Sequence, residues 1–454
     1  MKKIPSYKSI RALAIPALFG GIVEPVLSLT DIAVVGNIGS NDFTAANDNL
    51  SAVAAVGIAG SLLSALIWIF AQMKSAISAV VSQAYGAKRM HTISTLIPQM
   101  LWFNLIVSIL AFLVTYIFCD WIFEYLLSAK GDVLNDATSY YKIRVFGFPL
   151  TLITFSIFGV FRGIQNTIWA MAISIVGGSI NIVLDFMLVL GTFDVFEPKG
   201  VEGAALASVI AQFVMFGMAI YFLLYRSKIQ LFNTRKFNPN LKNLLLIAGN
   251  LVLRTFVLNI ALVLTHKFAN IYGEKYAATH AVILNLWLFS AFFLDAFATA
   301  ANAIAGKLLG ARDSEGMQRN LNRNLGLALL VSVILMLLSV SFHPYFMPFL
   351  IDNPIVWDVY PPILYLFIIC LPINAVAFIL DGIFKGMGKA KFLRNVLFIS
   401  TLFGFLPVLF LGHYFSPGLH VVWWALISWM MLRALIPFLY FRKWLKRYEN
   451  ELGK

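Results

Sequence analysis

Two carboxylates and an amide stand in almost wholly apolar sequence: Asp31 in IPALFGGIVEPVLSLTDIAVVGNIG (15–39), and Asn181 and Asp185 in SINIVLDFMLVLG (179–191). Asn181 and Asp185 are four residues apart and share a helix face, and an amide oxygen beside a carboxylate is a start on a sodium or proton site. Glu24 precedes Asp31 by two helical turns and shares its face. Further ionisable groups lie in apolar runs at Lys74, Arg254, His266, Lys267, Asp295, Asp381 and Arg433. A charge in hydrocarbon costs kilocalories, so each is expected to work and to have a partner. Asp31 carries the chief expectation. Protonating it removes a buried charge, and loading it with H⁺ or Na⁺ would bend its helix at Pro16 or Pro25, where proline leaves backbone hydrogen bonds unmade.

These groups must be held by membrane-spanning elements. Of 454 residues 60% are hydrophobic and 12% charged, against about 45–50% and about 25% in soluble chains, which excludes a soluble enzyme and a disordered chain alike. Runs near the twenty or so apolar residues that a span needs occur at 10–38, 51–84, 96–119, 142–161, 168–191, 201–225, 243–271, 278–308, 325–343, 362–384, 394–412 and 420–441. They predict an all-α integral membrane protein of twelve helices. The runs are continuous rather than alternating, which excludes a β-barrel. The N-terminal MKKIPSYKSIR leads into apolar sequence with no A-x-A-like cleavage site, so it is read as leading into a first span and not as a removed signal.

The net charge of +13 does not point to nucleic acid, because the basic residues recur in short clusters between spans rather than in one patch. Their bias places both termini in the cytoplasm of a multi-pass cell-membrane protein, with the acidic or neutral segments 40–49 and 193–198 outside. Cys119 and Cys370 sit in or beside apolar segments and read as small buried hydrophobes, with no disulfide framework.

AVVSQAYGAKR (79–89) and NAIAGKLLGAR (302–312) align with Gly86 on Gly310, an offset of 224, and FGVFRG (158–163) aligns with DGIFKG (381–386) at 223. Two unrelated landmarks at nearly one offset mark an internal repeat. Six spans per half, an even number, make the halves parallel repeats about an axis along the membrane normal, an architecture suited to alternating access. The expected organisation is an N-lobe at 1–225, a cytoplasmic linker at 226–242, a C-lobe at 243–441 and a basic tail at 442–454.

Structural readings compete with functional ones. Asp31 would also serve as a helix cap or headgroup contact, and Asn181 with Asp185 as interhelical hydrogen-bonding glue. Lys74 would neutralise an N-lobe acid, snorkel to the interface, or meet Asp295, whose repeat-related position is 71, one turn away. His266 overlays Asp31 through LTH (264–266) and LTD (29–31), which suits either a proton sensor or a packed histidine.

The 15–39 segment, with its Ile-Pro, central Pro and Asp-x-Ala-Val-x-Gly, resembles the first helix of the MATE (multidrug and toxic compound extrusion) family, in its DinF-like branch. GVFRGIQNT (159–167), SINIVLDFMLVLG (179–191), GVEGAALAS (200–208), FFLDAFATAAN (292–302) and FILDGIFKGMG (378–388) continue the likeness over nearly the whole chain. The resemblance implies a cation site at Asp31, Asn181 and Asp185, metal-binding only with Na⁺ coupling. Ser208 is the hydroxyl nearest to the family's threonine. Arg254 and Asp381 fit the branch pattern, whereas Asn302 stands where a glutamate is usual, and Glu24 has no acidic counterpart.

No phosphate loop, H-E-x-x-H, paired-cysteine or prenyl-diphosphate signature is present, so neither an enzyme nor a cofactor is expected. The expected function is a secondary antiporter, monomeric in the lipid bilayer, that exports small amphipathic cations for H⁺, favoured by the branch resemblance, or Na⁺. An organic-anion exporter or lipid-linked saccharide flippase is the alternative within transport, and a membrane scaffold or receptor the alternative outside it.

Overall fold

The computed structural model describes residues 5–36, 45–191, 197–227, 238–350, 357 and 359–452. Among the described residues the chain is helical without a strand. The first half comprises α1 (Tyr7–Val35), α2 (Ala45–Phe70), α3 (Gln72–Gly86), α4 (Met90–Ile117), α5 (Gly131–Arg144), α6 (Gly147–Gly163), α7 (Ile168–Val189) and α8 (Gly200–Tyr221). The second comprises α9 (Asn240–Ile271), α10 (Glu274–Gly310), α11 (Ser314–Leu350), α12 (Tyr360–Gly386), α13 (Ala390–Ser400), α14 (Leu406–Phe415) and α15 (Leu419–Leu452). Among the described residues ten helical runs, α2–α3 and α13–α14 each counted as one, are long and apolar enough to cross a membrane, eleven with the bent pair α5–α6. The 29 residues of α1 span about 43 Å at 1.5 Å each, which makes it a twelfth element of spanning length. Leu330, Ile334, Leu337 and Phe342 of α11 are exposed, as lipid contact requires.

The long second span holds as one run, Ser51–Gly86, with a turn at Ala71 between α2 and α3. The helices depart from the expected spans in two other places. The polar GDVLNDATSYYKIR, read as part of a loop, is helix α5 and meets α6 at a 48° bend. Its buried Ala137, Tyr140 and Tyr141 supply the apolar stripe of a half-buried helix. The last helix runs on to Leu452, so most of the tail at 442–454 is helical, with Leu445 buried and Arg442, Lys443, Lys446 and Arg447 exposed. By contrast, α1 runs unbroken through Pro16 and Pro25.

The repeat is written into the backbone. Lys88 and Arg312, 224 apart, both have φ in the left-handed region (57° and 53°), as do Gln165 and Gly388, 223 apart (66° and 73°). Repeat-related residues also meet across one seam, where α3 crosses α10. Ser78 Oγ donates to Asn302 Oδ1 at 3.1 Å. A methyl on Gly86 would run into the Lys307 carbonyl, and one on Gly310 into the Gln83 carbonyl, the same contact exchanged between halves. Glycine here lets two backbones approach more closely than any other side chain permits. Gln83 Nε2 donates to the Gly386 carbonyl at 2.9 Å, and Gln165 Nε2 to the Ala303 carbonyl at 2.8 Å.

The core divides accordingly. At the end where lysine and arginine gather, one apolar cluster contains residues of both halves, from Ile10 and Val80 to Ile304 and Ile383. Toward the opposite end each half keeps its own cluster, around Val35, Ala59 and Phe148 in the first and Ile283, Phe367 and Trp423 in the second. The halves are thus sealed at the basic end and packed separately at the other.

Candidate functional site

Three helices each contribute a pair of polar residues four apart, and the pairs converge on Asp31 of α1. From α5 come Tyr140 and Arg144, from α7 Asn181 and Asp185, and from α8 Ser208 and Gln212. Spacing of four puts both members of each pair on one helix face. Asp31, Tyr140, Asn181, Asp185 and Ser208 are all buried. Ser208 Oγ donates to Asp31 Oδ2 at 3.4 Å, Tyr140 OH donates to the same oxygen at 3.5 Å, and Asn181 Nδ2 donates to Ser208 Oγ at 3.3 Å. Asp185 lies close enough for the two carboxyl groups to act on one another. Neighbouring carboxyl groups can hold one proton between them, whereas ionised carboxylates are acceptors alone.

A cavity of about 80 Å³ opens beside this cluster, lined among others by Asp31, Arg144, Asn181, Ser208 and Gln212. At about 10–15 Å³ per water, it has room for several. Of its lining, Asp31 Oδ1, Asn181 Oδ1 and Gln212 Oε1 are buried and accept no hydrogen bond among the described residues, and the same holds for both oxygens of the neighbouring Asp185. Such oxygens call for a donor or a cation, because a buried acceptor left unmet costs about 1–3 kcal/mol. No group of three or more His, Cys, Asp or Glu side chains suited to a metal occurs among the described residues. The chemistry on offer is that of a few oxygens, which suits a proton or a hard monovalent cation.

Asp31, Asn181, Asp185 and Ser208, singled out in the sequence, are therefore brought together. Tyr140, Arg144 and Gln212 were missed. Tyr140 and Arg144 lie in the segment read as a loop and at its edge, although the Tyr140/Arg144 and Ser208/Gln212 spacings of four were legible signals.

The other residues fall elsewhere. Pro16 is buried in α1, while the side chains of Glu24 and Pro25 lie outside the described residues. The Lys74 ammonium rests 4.9 Å from the centre of the Phe155 ring, and Asp295, which is exposed, feels the charge of Arg162 from the other half. In the second half Arg254 Nη2 meets Asp381 Oδ1 at 2.7 Å, and Lys385 Nζ meets Asp381 Oδ2 at 2.8 Å. Arg433 is close enough to act on both Arg254 and Asp381, and it packs over Trp429. His266 is exposed, with its ring 5.0 Å from that of His280, which in turn shares a hydrogen bond of 3.0 Å with Thr265 Oγ1. Cys119 and Cys370 are buried and free.

The sequence profile of the MatE family matches residues 16–187 and 251–410. The chain belongs to the MatE family. It is 28% identical to the DNA damage-inducible protein F of Escherichia coli (strain K12), over 95% of this chain and 91% of that one. It is 26% identical to Protein DETOXIFICATION 44, chloroplastic, of Arabidopsis thaliana, over 94% and 80%. In fold it is similar to a MATE crystallised in the bent conformation, with a TM-score of 0.89 at 20% identity over 98% and 97% of the two chains. An outward-facing multidrug resistance MATE family transporter of the MOP superfamily is similar with a TM-score of 0.88 at 20% identity, over 99% and 98%. As a member of this family the protein is a multi-pass membrane transporter and not an enzyme.

Proposed function

We propose that this protein is a secondary antiporter that exports amphipathic organic cations in exchange for H⁺ or Na⁺, with Asp31 the acid that is loaded and emptied. The observation that carries the reading is the set of unmet buried oxygens around Asp31 and Asp185. The unmet acceptors of this site are completed by a proton, a sodium ion or a cationic solute, and competition between the ion and the solute for them is antiport. Export of drug-like compounds is supported by the likeness to a transporter described as conferring multidrug resistance.

Alternating access follows from the two-ended packing. With the basic end and both termini in the cytoplasm of the cell membrane, the shared core and the Ser78–Asn302 seam close the inner side, and the separately packed ends face outward. Loading Asp31 there removes its charge, so the halves can close around a neutral site. The cation site lies wholly within one half of one chain, so a single chain suffices for transport. The gradient supplies the work, at about 2.3 kcal/mol per charge per 100 mV.

The test is efflux of tetraphenylphosphonium from proteoliposomes under an imposed proton or sodium gradient, wild type beside Asp31→Asn. The wild type should concentrate the probe uphill, and Asp31→Asn should lose that uphill movement while folding normally. Undiminished uphill movement in Asp31→Asn would overturn the reading.

A further inference from the structure

We infer that Arg144 is a permanent resident cation of the Asp31–Asp185 site, which sets the emptied site at a net charge of minus one and so selects monovalent over divalent organic cations. The inference rests on the reading of Asp31 as the coupling acid and names the charge class of its substrate.

Arg144 is the last residue of α5, at the 48° bend into α6, and lines the cavity with Asp31. Gly147, first in α6, leaves room for the neighbouring Gln212. A Cβ there would run into Gln212 Oε1, whereas Arg144 Nη1 would lie in ordinary contact with it at 3.7 Å. Arg144 is half-buried, lies beside Tyr140, and is the cation whose charge reaches both Asp31 and Asp185.

Among the described residues, the groups facing it decide the charge count. Asp31 comes from α1, Asp185 from α7, and Tyr140 from its own helix, while α8 contributes the neutral Ser208 and Gln212. From α6 comes Phe155, on whose ring Lys74 rests. A guanidinium stays protonated in proteins. With one proton shared by the two acids, the set of two carboxyls and one guanidinium is neutral, and with that proton gone it carries one net negative charge. One monovalent cation restores neutrality. A compact dication leaves an uncompensated buried positive charge beside the guanidinium, and the cost of such a charge discriminates against it.

The test uses two bipyridines of one framework, the monocation 1-methyl-4-(pyridin-4-yl)pyridinium and the dication methyl viologen. Binding to the purified wild type, Arg144→Gln, Arg144→Lys and Asp31→Asn is measured by calorimetry. Wild type and Arg144→Lys should favour the monocation at least tenfold, and Arg144→Gln should shift the ratio at least tenfold toward the dication. A wild type that favours the dication, or a folded Arg144→Gln with the wild-type ratio, overturns the inference. If Arg144→Gln does not fold, the wild-type preference and its retention in Arg144→Lys decide the matter. Asp31→Asn should bind both probes at least tenfold more weakly. Equal binding in that variant defeats the underlying site reading, separately from the role of Arg144.

Discussion

Ser78 donates a 3.1 Å hydrogen bond to Asn302, and the two residues stand 224 positions apart, the interval that also relates Gly86 to Gly310. Residues related by a twofold operation touch only on its axis, so the pair marks where the pseudo-twofold axis passes between α3 and α10. Motion of one half against the other must open or pivot at this contact.

Joining the two positions should therefore stop transport. Ser78→Cys with Asn302→Cys should form an intramolecular disulfide on mild oxidation, since the two side chains meet at this contact. Uphill efflux from proteoliposomes should fall at least tenfold and return on reduction. The native cysteines are buried and should not interfere.

The glycines of the seam should be interchangeable in effect. Gly86→Ala and Gly310→Ala each place a methyl against a backbone carbonyl of the opposite half, and overpacking of this kind costs about 1–3 kcal/mol. Both variants should favour the state open at the basic end. Ser78→Cys introduced into either background should be alkylated faster than in wild type, and by a similar factor.

At the cation site the effects should be graded. Tyr140→Phe and Ser208→Ala each remove one long hydrogen bond to an Asp31 oxygen whose neighbours remain. A neutral bond is worth about 0.5–1.5 kcal/mol, so each should reduce uphill efflux by less than about tenfold. Asp31→Asn should abolish it. The three variants should be compared in one vesicle preparation.

In the second half, Asp381 holds two cations at once, and its own side chain and that of Arg254 are only 14% and 6% exposed. Removing one partner of a buried pair costs about 3–5 kcal/mol through the charge left behind. Asp381→Asn should lower the unfolding temperature markedly. Asp381→Asn with Arg254→Gln should recover part of the loss, which a thermal melt in detergent would measure.

How far the sequence could be read follows from the physics of each residue. Asp31, Asn181 and Asp185 were visible because a polar group in hydrocarbon is costly wherever it points. The α5 residues were not visible, because a polar amphipathic helix lying against the bundle has the composition of a loop. Its apolar stripe of Ala137, Tyr140 and Tyr141 has meaning only once there is a surface to bury it. Repeat arithmetic fixes axial level but not rotation about a helix, so it could not foretell that the Lys74 ammonium lies over the Phe155 ring or that Asp295 feels the charge of Arg162 from the other half.

The sequence by itself determined that the chain crosses a membrane many times, that it is a doubled structure, and that acids are carried inside it, because hydropathy, repetition and buried charge are properties of the linear order of residues. Only the tertiary structure decided which polar groups surround Asp31, which end of the two halves is sealed, and which cation faces the acids. Those outcomes depend on helix rotation, on a 48° bend and on glycine-sized clearances between helices remote in sequence, and none of them has a local signature in the order of residues.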